Sequence, residues 1–455
     1  MKKLKIVLGS LALVLVIGAV AVSIWWMMRP QVIIFSDDSK VTLLGVDYGK
    51  HHVPPTIKAT ATTATPPAAR PVRRGGPFTT TNDTLVVWVR QEYDAQQSHN
   101  FQYFIYDPAG VACAQNVMVN YATASHQQGN EVVGVQFPAF PRREGKLVLR
   151  VLENGNGDQE MSDKKFVIAN PARGPFPAWT SELPPITQED GNLSVTLTKL
   201  VCGADTGITR DSDNPDDAVN KGVLAAFKVS QDGKPTADWL PVTIDTSDAT
   251  GNYVNGRVFG TQRQDDAIEA PYQFGLWPDE PAWKLRVQFA KQSGYTDDEM
   301  MKVQNIPVEP GRRQDFNRVV RRVNGVVVST APAATVTNTG FAEGDINGYH
   351  VKVFQAKQFT DVPANSQPNG GIQVQFSPPL PPMTMGTMGA RPILQTITDD
   401  QGQNVRRYGY SSSSDGKSTT FNYTLGDMAG VKSLNLTIVL AKNRFVEFTA
   451  KPEKQ

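Results

Sequence analysis

The chain holds 455 residues, 40% of them hydrophobic, which is enough for about three packed domains of roughly 150 residues each. Its 45 Lys and Arg nearly cancel its 44 Asp and Glu, so no global positive field exists to hold nucleic acid, and that class of partner is excluded. With 37 Gly, 32 Pro and 20% charged residues the composition is that of a turn-rich globular chain, outside the collagenous and disordered ranges.

The N-terminus reads as a membrane anchor over residues 1–30. Lys2, Lys3 and Lys5 precede an uncharged run of 23 residues that opens at Ile6, closes at Met28 and carries Trp25 and Trp26 near its end. At about 1.5 Å of rise per residue a helix of that length crosses a hydrocarbon core of about 30 Å. Ala19-Val20-Ala21 imitates a cleavage site, yet the apolar run continues for seven residues beyond it, which favours an uncleaved span. The three lysines outweigh Arg29 and Lys40 on the far side, so the short end is expected in the cytoplasm and the bulk of the chain outside it, periplasmic or at the cell surface. No Cys stands at the end of the run for lipid attachment.

After the anchor the same five pieces recur three times in the same order, and this repeat organises the rest of the chain. An alternating opening strand lies at residues 40–46, 193–200 and 349–354, and a second β-rich strand at residues 84–90, 223–229 and 371–376. A third strand ends each time in Asp-x-x-Gly, at Asp107 to Gly110, Asp248 to Gly251 and Asp399 to Gly402. There the Asp accepts backbone N–H groups within the turn and the Gly tolerates positive φ as the chain re-enters a strand. An aromatic strand, an irregular corner and a long alternating strand follow at residues 135–151, 272–289 and 421–438, and a closing strand at residues 165–168, 301–306 and 444–448. The expected fold is therefore all-β, an N-terminal transmembrane helix followed by three tandem antiparallel β-sandwiches of immunoglobulin-like type, with the antibody-type intradomain Cys pair absent.

The expected boundaries are residues 31–171, 186–310 and 346–455. A spacer at residues 170–185 carries five Pro, and a Thr, Ala and Pro tract near residues 53–82 is expected as a disordered insertion in the first domain. Cys113 and Cys202 fall in different repeats and read as buried thiols in strands, with an interdomain bridge as the competing reading.

Few residues group as a chemical site. His51 and His52 are adjacent, so on an extended segment they point to opposite sides and read as a loop pair; His99, His126 and His350 stand singly. The best metal candidate is an acidic stretch in which Asp211, Asp213, Asn214, Asp216 and Asp217 offer oxygens to calcium, although Pro215 and Asp216 break the EF-hand pattern and a solvated loop is the competing reading. Met383, Met385 and Met388 can hold Cu(I) or simply form a flexible loop. Ser411 to Ser414 lacks the surroundings of a nucleophile elbow and reads as a loop, and no nucleotide-binding glycine motif is present. The basic run from Arg312 to Arg322 is a solvated face or a contact for anionic polymer, and Trp88, Trp179, Trp239, Trp277 and Trp283 fill cores or line a sugar-binding face. The resulting expectation is a non-enzymatic, membrane-anchored structural or interaction protein without cofactor, contacting protein or envelope polymer. A polysaccharide- or calcium-binding ectodomain is the alternative, and a metal-assisted hydrolase stands behind both.

Overall fold

A computed structural model describes residues 31–55, 77–94, 100–107, 117–121, 130–154, 162–172, 174–204, 222–272, 275–313, 321–323, 326–328, 340–363, 367–381 and 391–454. Over these residues the chain is all-β in several sheets, with no α-helical element and a single 3-10 turn at Asp297–Glu299. No helix among the described residues is long and apolar enough to cross a membrane; residues 6–28 lie outside them.

The first group of strands is β1 (Val32–Ile34), β2 (Lys40–His52), β3 (Phe78–Glu92), β4 (Asn100–Tyr106), β5 (Val117–Tyr121), β6 (Asn130–Phe137), β7 (Lys146–Asn154) and β8 (Ser162–Ala169). They form two sheets, ordered β1-β2-β3-β6-β5 and β4-β7-β8. The second group is β9 (Ile186–Asp190), β10 (Leu193–Ala204), β11 (Gly222–Gln231), β12 (Lys234–Pro235), β13 (Trp239–Asp248), β14 (Tyr253–Arg257), β15 (Gln262–Gln264), β16 (Ala267–Tyr272) and β17 (Trp283–Lys291). The third is β18 (Met300–Gly311), β19 (Arg321–Val323), β20 (Val326–Val328), β21 (Ala342–Ile346), β22 (Tyr349–Val353), β23 (Ala356–Phe359), β24 (Gly370–Ser377), β25 (Arg391–Asp399), β26 (Arg407–Ser414), β27 (Thr419–Leu425) and β28 (Ser433–Ala441). β29 (Asn443–Ala450) and β30 (Glu453–Lys454) end the chain.

The repeat seen in sequence is also a repeat of pairing. The opening strand pairs antiparallel with the second strand as β2 with β3, β10 with β11 and β22 with β24. The second strand then takes the aromatic strand, β6, β16 or β27, on its other edge. The strand that ends in Asp-x-x-Gly lies in the opposite sheet against the long alternating strand, as β4 with β7, β13 with β17 and β25 with β28. Period-2 alternation decides which side faces inward: along β17, Trp283, Leu285, Val287 and Phe289 are fully buried, while Lys284 and Arg286 point away from the core.

The closing strands depart from the linear partition and correct it. In the first repeat β8 pairs with its own long strand β7. In the other two the strands are exchanged: residues 301–306 lie in β18 and pair with β28 of the third repeat, whereas residues 444–448 lie in β29 and pair with β17 of the second. The physical reason is the connection. Only Lys442 separates β28 from β29, and a hairpin reversal needs at least about two residues, so β28 cannot fold back on its successor and runs on into the neighbouring sheet. β17, already paired with β13, thereby receives β29 on its other edge, and β18 is released to the third repeat. Each exchanged strand then steps to the opposite sheet and pairs there in parallel, β30 with β10 and the end of β18 with β23.

Two further expectations are corrected. The tract at residues 53–82 ends in a strand rather than disorder, because β3 begins at Phe78 and pairs Phe78 with His52 and Thr79 with His51; residues 56–76 lie outside the described part. Ser411 to Ser414 form an exposed strand against β27 rather than a loop. Apolar burial is continuous from Ile33 to Ala450 across the first two repeats, and the third repeat has its own core around Ile372, Phe376, Phe421 and Leu436.

Candidate functional site

Polar chemistry concentrates where one repeat meets the next. At the first junction the Asp248 turn is built as its sequence implies. Asp248 Oδ1 accepts the Thr250 N–H at 2.8 Å, the Thr250 hydroxyl at 2.6 Å and the Asn252 N–H at 3.1 Å, and Gly251 sits at φ +92°. The third repeat repeats the geometry, with Asp399 Oδ1 accepting from Gln401 and Gln403 N–H at 2.9 and 2.7 Å and Gly402 at φ +77°. In the first repeat Asp107 is buried, and the rest of its turn lies outside the described residues.

The second turn does more than reverse the chain. Asn252, 1% exposed, accepts the Phe140 N–H at 3.2 Å and donates to the Phe140 carbonyl at 2.9 Å, so its amide pairs with the first repeat as a peptide unit would. Arg142 donates to the Thr250 carbonyl and to the Asp83 carbonyl, both at 2.9 Å, with its guanidinium 5.2 Å from the Phe140 ring centre and 5.6 Å from that of Tyr48. Gly251's positive φ favours glycine, and a Cβ there would stand 3.0 Å from Arg142 Nη1 and crowd the guanidinium. Arg143 reaches Glu280 through Nε at 3.0 and 3.1 Å and donates to the carbonyls of Phe176 and Pro177 in the Pro-rich spacer. Burial raises the Glu280 carboxyl, the Arg143 hydrogen bond draws it down and the nearby Asp248 charge raises it again; the balance is upward. Beside this junction an open pocket of about 450 Å³ runs from Arg142 and Arg143 to Asn170 and Phe176.

The second junction is the strand crossover. Glu299, 4% exposed, accepts Lys291 Nζ from the end of β17 at 2.7 Å, Lys442 Nζ from the link between β28 and β29 at 2.6 Å, and the Thr296 N–H at 3.0 Å. Lys291 also donates its backbone N–H to the Lys442 carbonyl at 3.1 Å. Burial is the largest single influence on Glu299 and pushes its pKa up. The hydrogen bonds from Lys291, Lys442 and the Thr296 backbone together outweigh it and hold the carboxyl at about 2.

Between these junctions the sheet β14-β13-β17-β29 turns a polar and aromatic face outward. Asn255 donates to Asp245, Thr243 donates to Gln288 at 3.1 Å, and the Arg286 guanidinium lies 4.2 Å from the Phe445 ring centre. Lys284 stands 5.4 Å from the Trp179 ring centre, and Tyr253 is 41% exposed. The Asp245 carboxyl is raised, burial outweighing the hydrogen bonds of Tyr253 and Asn255 and the charge of Arg286.

Of the residues singled out in sequence, Asp211, Asp213, Asn214, Asp216 and Asp217 lie outside the described part, as do His99, His126, Cys113 and Met383 to Met388. His51 and His52 belong to strand β2 rather than a loop: His51 is exposed, and His52 is fully buried with Nδ1 3.1 Å from Asp47. His350 lies between Glu343 and Asp345, 3.2 Å from each, on an exposed hairpin. Among the described residues no group of three or more His, Cys, Asp or Glu is arranged to hold a metal ion. Cys202 is buried, with its Sγ 3.9 Å from the Leu276 carbonyl oxygen. Trp88, Trp239, Trp277 and Trp283 are buried, so of the described tryptophans Trp179 alone is open enough to offer a ring face. Sequence reasoning did not single out Arg142, Asn252, Glu280, Lys291, Glu299 or Lys442. The signal for the last three was the one-residue gap between two strands, whereas the partners of the first three come from distant segments and left none. No protein-family model matches the chain, and neither a curated protein nor a solved structure matches it.

Proposed function

We propose that this chain is a membrane-anchored, extracytoplasmic interaction scaffold. An uncleaved span over residues 6–28 leaves the N-terminus in the cytoplasm, and three tandem immunoglobulin-like sandwiches act through contact with protein or envelope polymer rather than through catalysis. The observation that carries the reading is where the buried charges go. Buried Arg142 and Glu280 have their partners across the first junction, and buried Glu299 binds Lys442 of the β28–β29 connection as well as Lys291 of its own repeat, so these polar groups, costly to bury, help hold the units to one another. An array fixed at both junctions carries a distal surface at a set distance and orientation from the membrane. Crosslinking in intact cells followed by pull-down of the full chain tests this: a reproducible extracytoplasmic partner is expected, and its absence together with a turnover activity of the purified chain overturns it. Resistance to alkaline carbonate extraction tests the anchor separately.

One set of contacts favours a second reading, saccharide contact on the outward face where Tyr253 and Asn255 are exposed over the buried Asp245, beside the Arg286–Phe445 stack. Planar polar groups beside aromatic rings suit sugar hydroxyls and ring faces. Binding of envelope polysaccharide lost on Tyr253→Ala and Phe445→Ala is its expected signature. The calcium reading for Asp211 to Asp217 is tested by metal analysis of the purified chain.

A further inference from the structure

We infer that the second repeat carries a strand-accepting groove, filled in this structure by the chain's own C-terminal segment, and that the groove takes an extended peptide of the same alternation as a separable ligand. The segment docks as a ligand would. β29 runs along β17 through eight registered pairs, from Trp283 against Ala450 to Ala290 against Asn443. Its other edge meets the spacer, where the Glu182 N–H donates to the Thr449 carbonyl at 3.2 Å. Val446, Phe448 and Ala450 insert into the core, and the Phe448 ring lies 6.0 Å from that of Phe227. On the other side Phe445 lies under Arg286, and at the rim of the core face Arg444, opposite Phe289, reaches Asp190 at 3.5 Å. The ligand class is therefore a peptide with apolar side chains at alternate positions, an aromatic one residue before the first of them, and a tail that adds the parallel pairs of β30 with Val201 and Cys202.

Nothing in the groove requires the peptide to arrive covalently attached. It joins the third repeat through Lys442 alone, and the third repeat fills its own sheet with β18 and completes its own core without β29. During synthesis the edge of β17 away from β13 has no partner until β29 emerges, so the strands of the third repeat are all made before the second repeat closes.

The test uses the full chain in detergent, with a specific protease sequence replacing Lys442 and cleavage carried out after folding. The released segment is expected to stay bound through size-exclusion chromatography. After a brief urea pulse it is expected to exchange for a fluorescent synthetic peptide of residues 443–454, one per chain, while the same peptide carrying Phe448→Asp is excluded at least a hundredfold. A chain truncated after residue 442 is the second variant, and the peptide is expected to restore its Trp emission, since the tryptophans lie outside the third repeat. Failure of the peptide to bind either form overturns the inference, as does equal binding of the Phe448→Asp peptide.

Discussion

Asp248 and Asp399 stand at the same point of the same turn, yet removing them should have different consequences. Asp248 is 2% exposed and satisfies two N–H groups, a hydroxyl and the Asn252 amide, whereas Asp399 is half-buried and its turn faces solvent. Stranding several buried donors costs more than losing bonds that water replaces, so Asp248→Ala is expected to destabilise by about 3 kcal/mol and Asp399→Ala by about 1 kcal/mol. Amide exchange measured around each turn checks the difference, and equal losses would refute it. Glu299 gives the sharper case, because Glu299→Gln leaves the buried Lys291 ammonium facing a neutral amide, at a cost of about 3 kcal/mol. Lys442→Ala, which removes the exposed partner, is expected to cost less than about 1 kcal/mol. The pH dependence follows from the depressed carboxyl. The contribution is fully present above the unfolded value near 4.5 and is lost as pH falls toward about 2. A urea-unfolding series over that window should show the wild-type crossover weakening with acid and the Glu299→Gln crossover lacking that slope. A parallel slope in the variant would assign the acid lability to another group.

At the scale of strands, sensitivity should follow burial rather than position in the repeat. A residue inserted between Phe445 and Val446 shifts the pairing with β17 by one and turns Val446, Phe448 and Ala450 away from the core. A residue inserted between Ser412 and Ser413 disturbs an edge strand whose serines are exposed. The first insertion is expected to abolish amide protection along β17 and the second to leave the third core intact; protection surviving in β17 would show that the strand tolerates a bulge there. The same contrast explains what could be read in advance. Strand positions and the Asp-x-x-Gly turns were legible, because two-residue alternation and turn chemistry are local properties of residues such as Leu285, Val287, Asp248 and Gly251. The partner of the closing strand was not legible, since Met301 to Ile306 has the right alternation for β17 and for β28 alike, and only the single residue at Lys442 excludes the adjacent choice. The first junction was invisible for a different reason. Asn252 and Phe140 lie 112 positions apart, and nothing in either segment's pattern announces that a side-chain amide will pair with a distant backbone.

At the scale of the whole chain, the two junctions differ in kind, and their mechanics should differ accordingly. The first is crossed by one covalent connection, the Pro-rich spacer, and is held by the Asn252 and Arg142 contacts and by Arg143 on Glu280 and the spacer carbonyls. The second is crossed twice, by the connection from β17 to β18 and by Lys442, with Glu299 clamped between them. Two covalent crossings restrain rotation even when side-chain contacts are lost, whereas one crossing depends on them. Spin labels at Lys164 and Lys228 report on the first junction and labels at Lys228 and Lys352 on the second, in a full chain with both native cysteines replaced by serine. Both pairs are expected to give narrow distance distributions by pulsed electron resonance. Replacing Arg142 and Asn252 together with alanine should broaden the first distribution several-fold and leave the second unchanged. A broad wild-type distribution across the first junction would mean that its buried contacts do not hold the units in one orientation, and the scaffold reading would lose its mechanical basis.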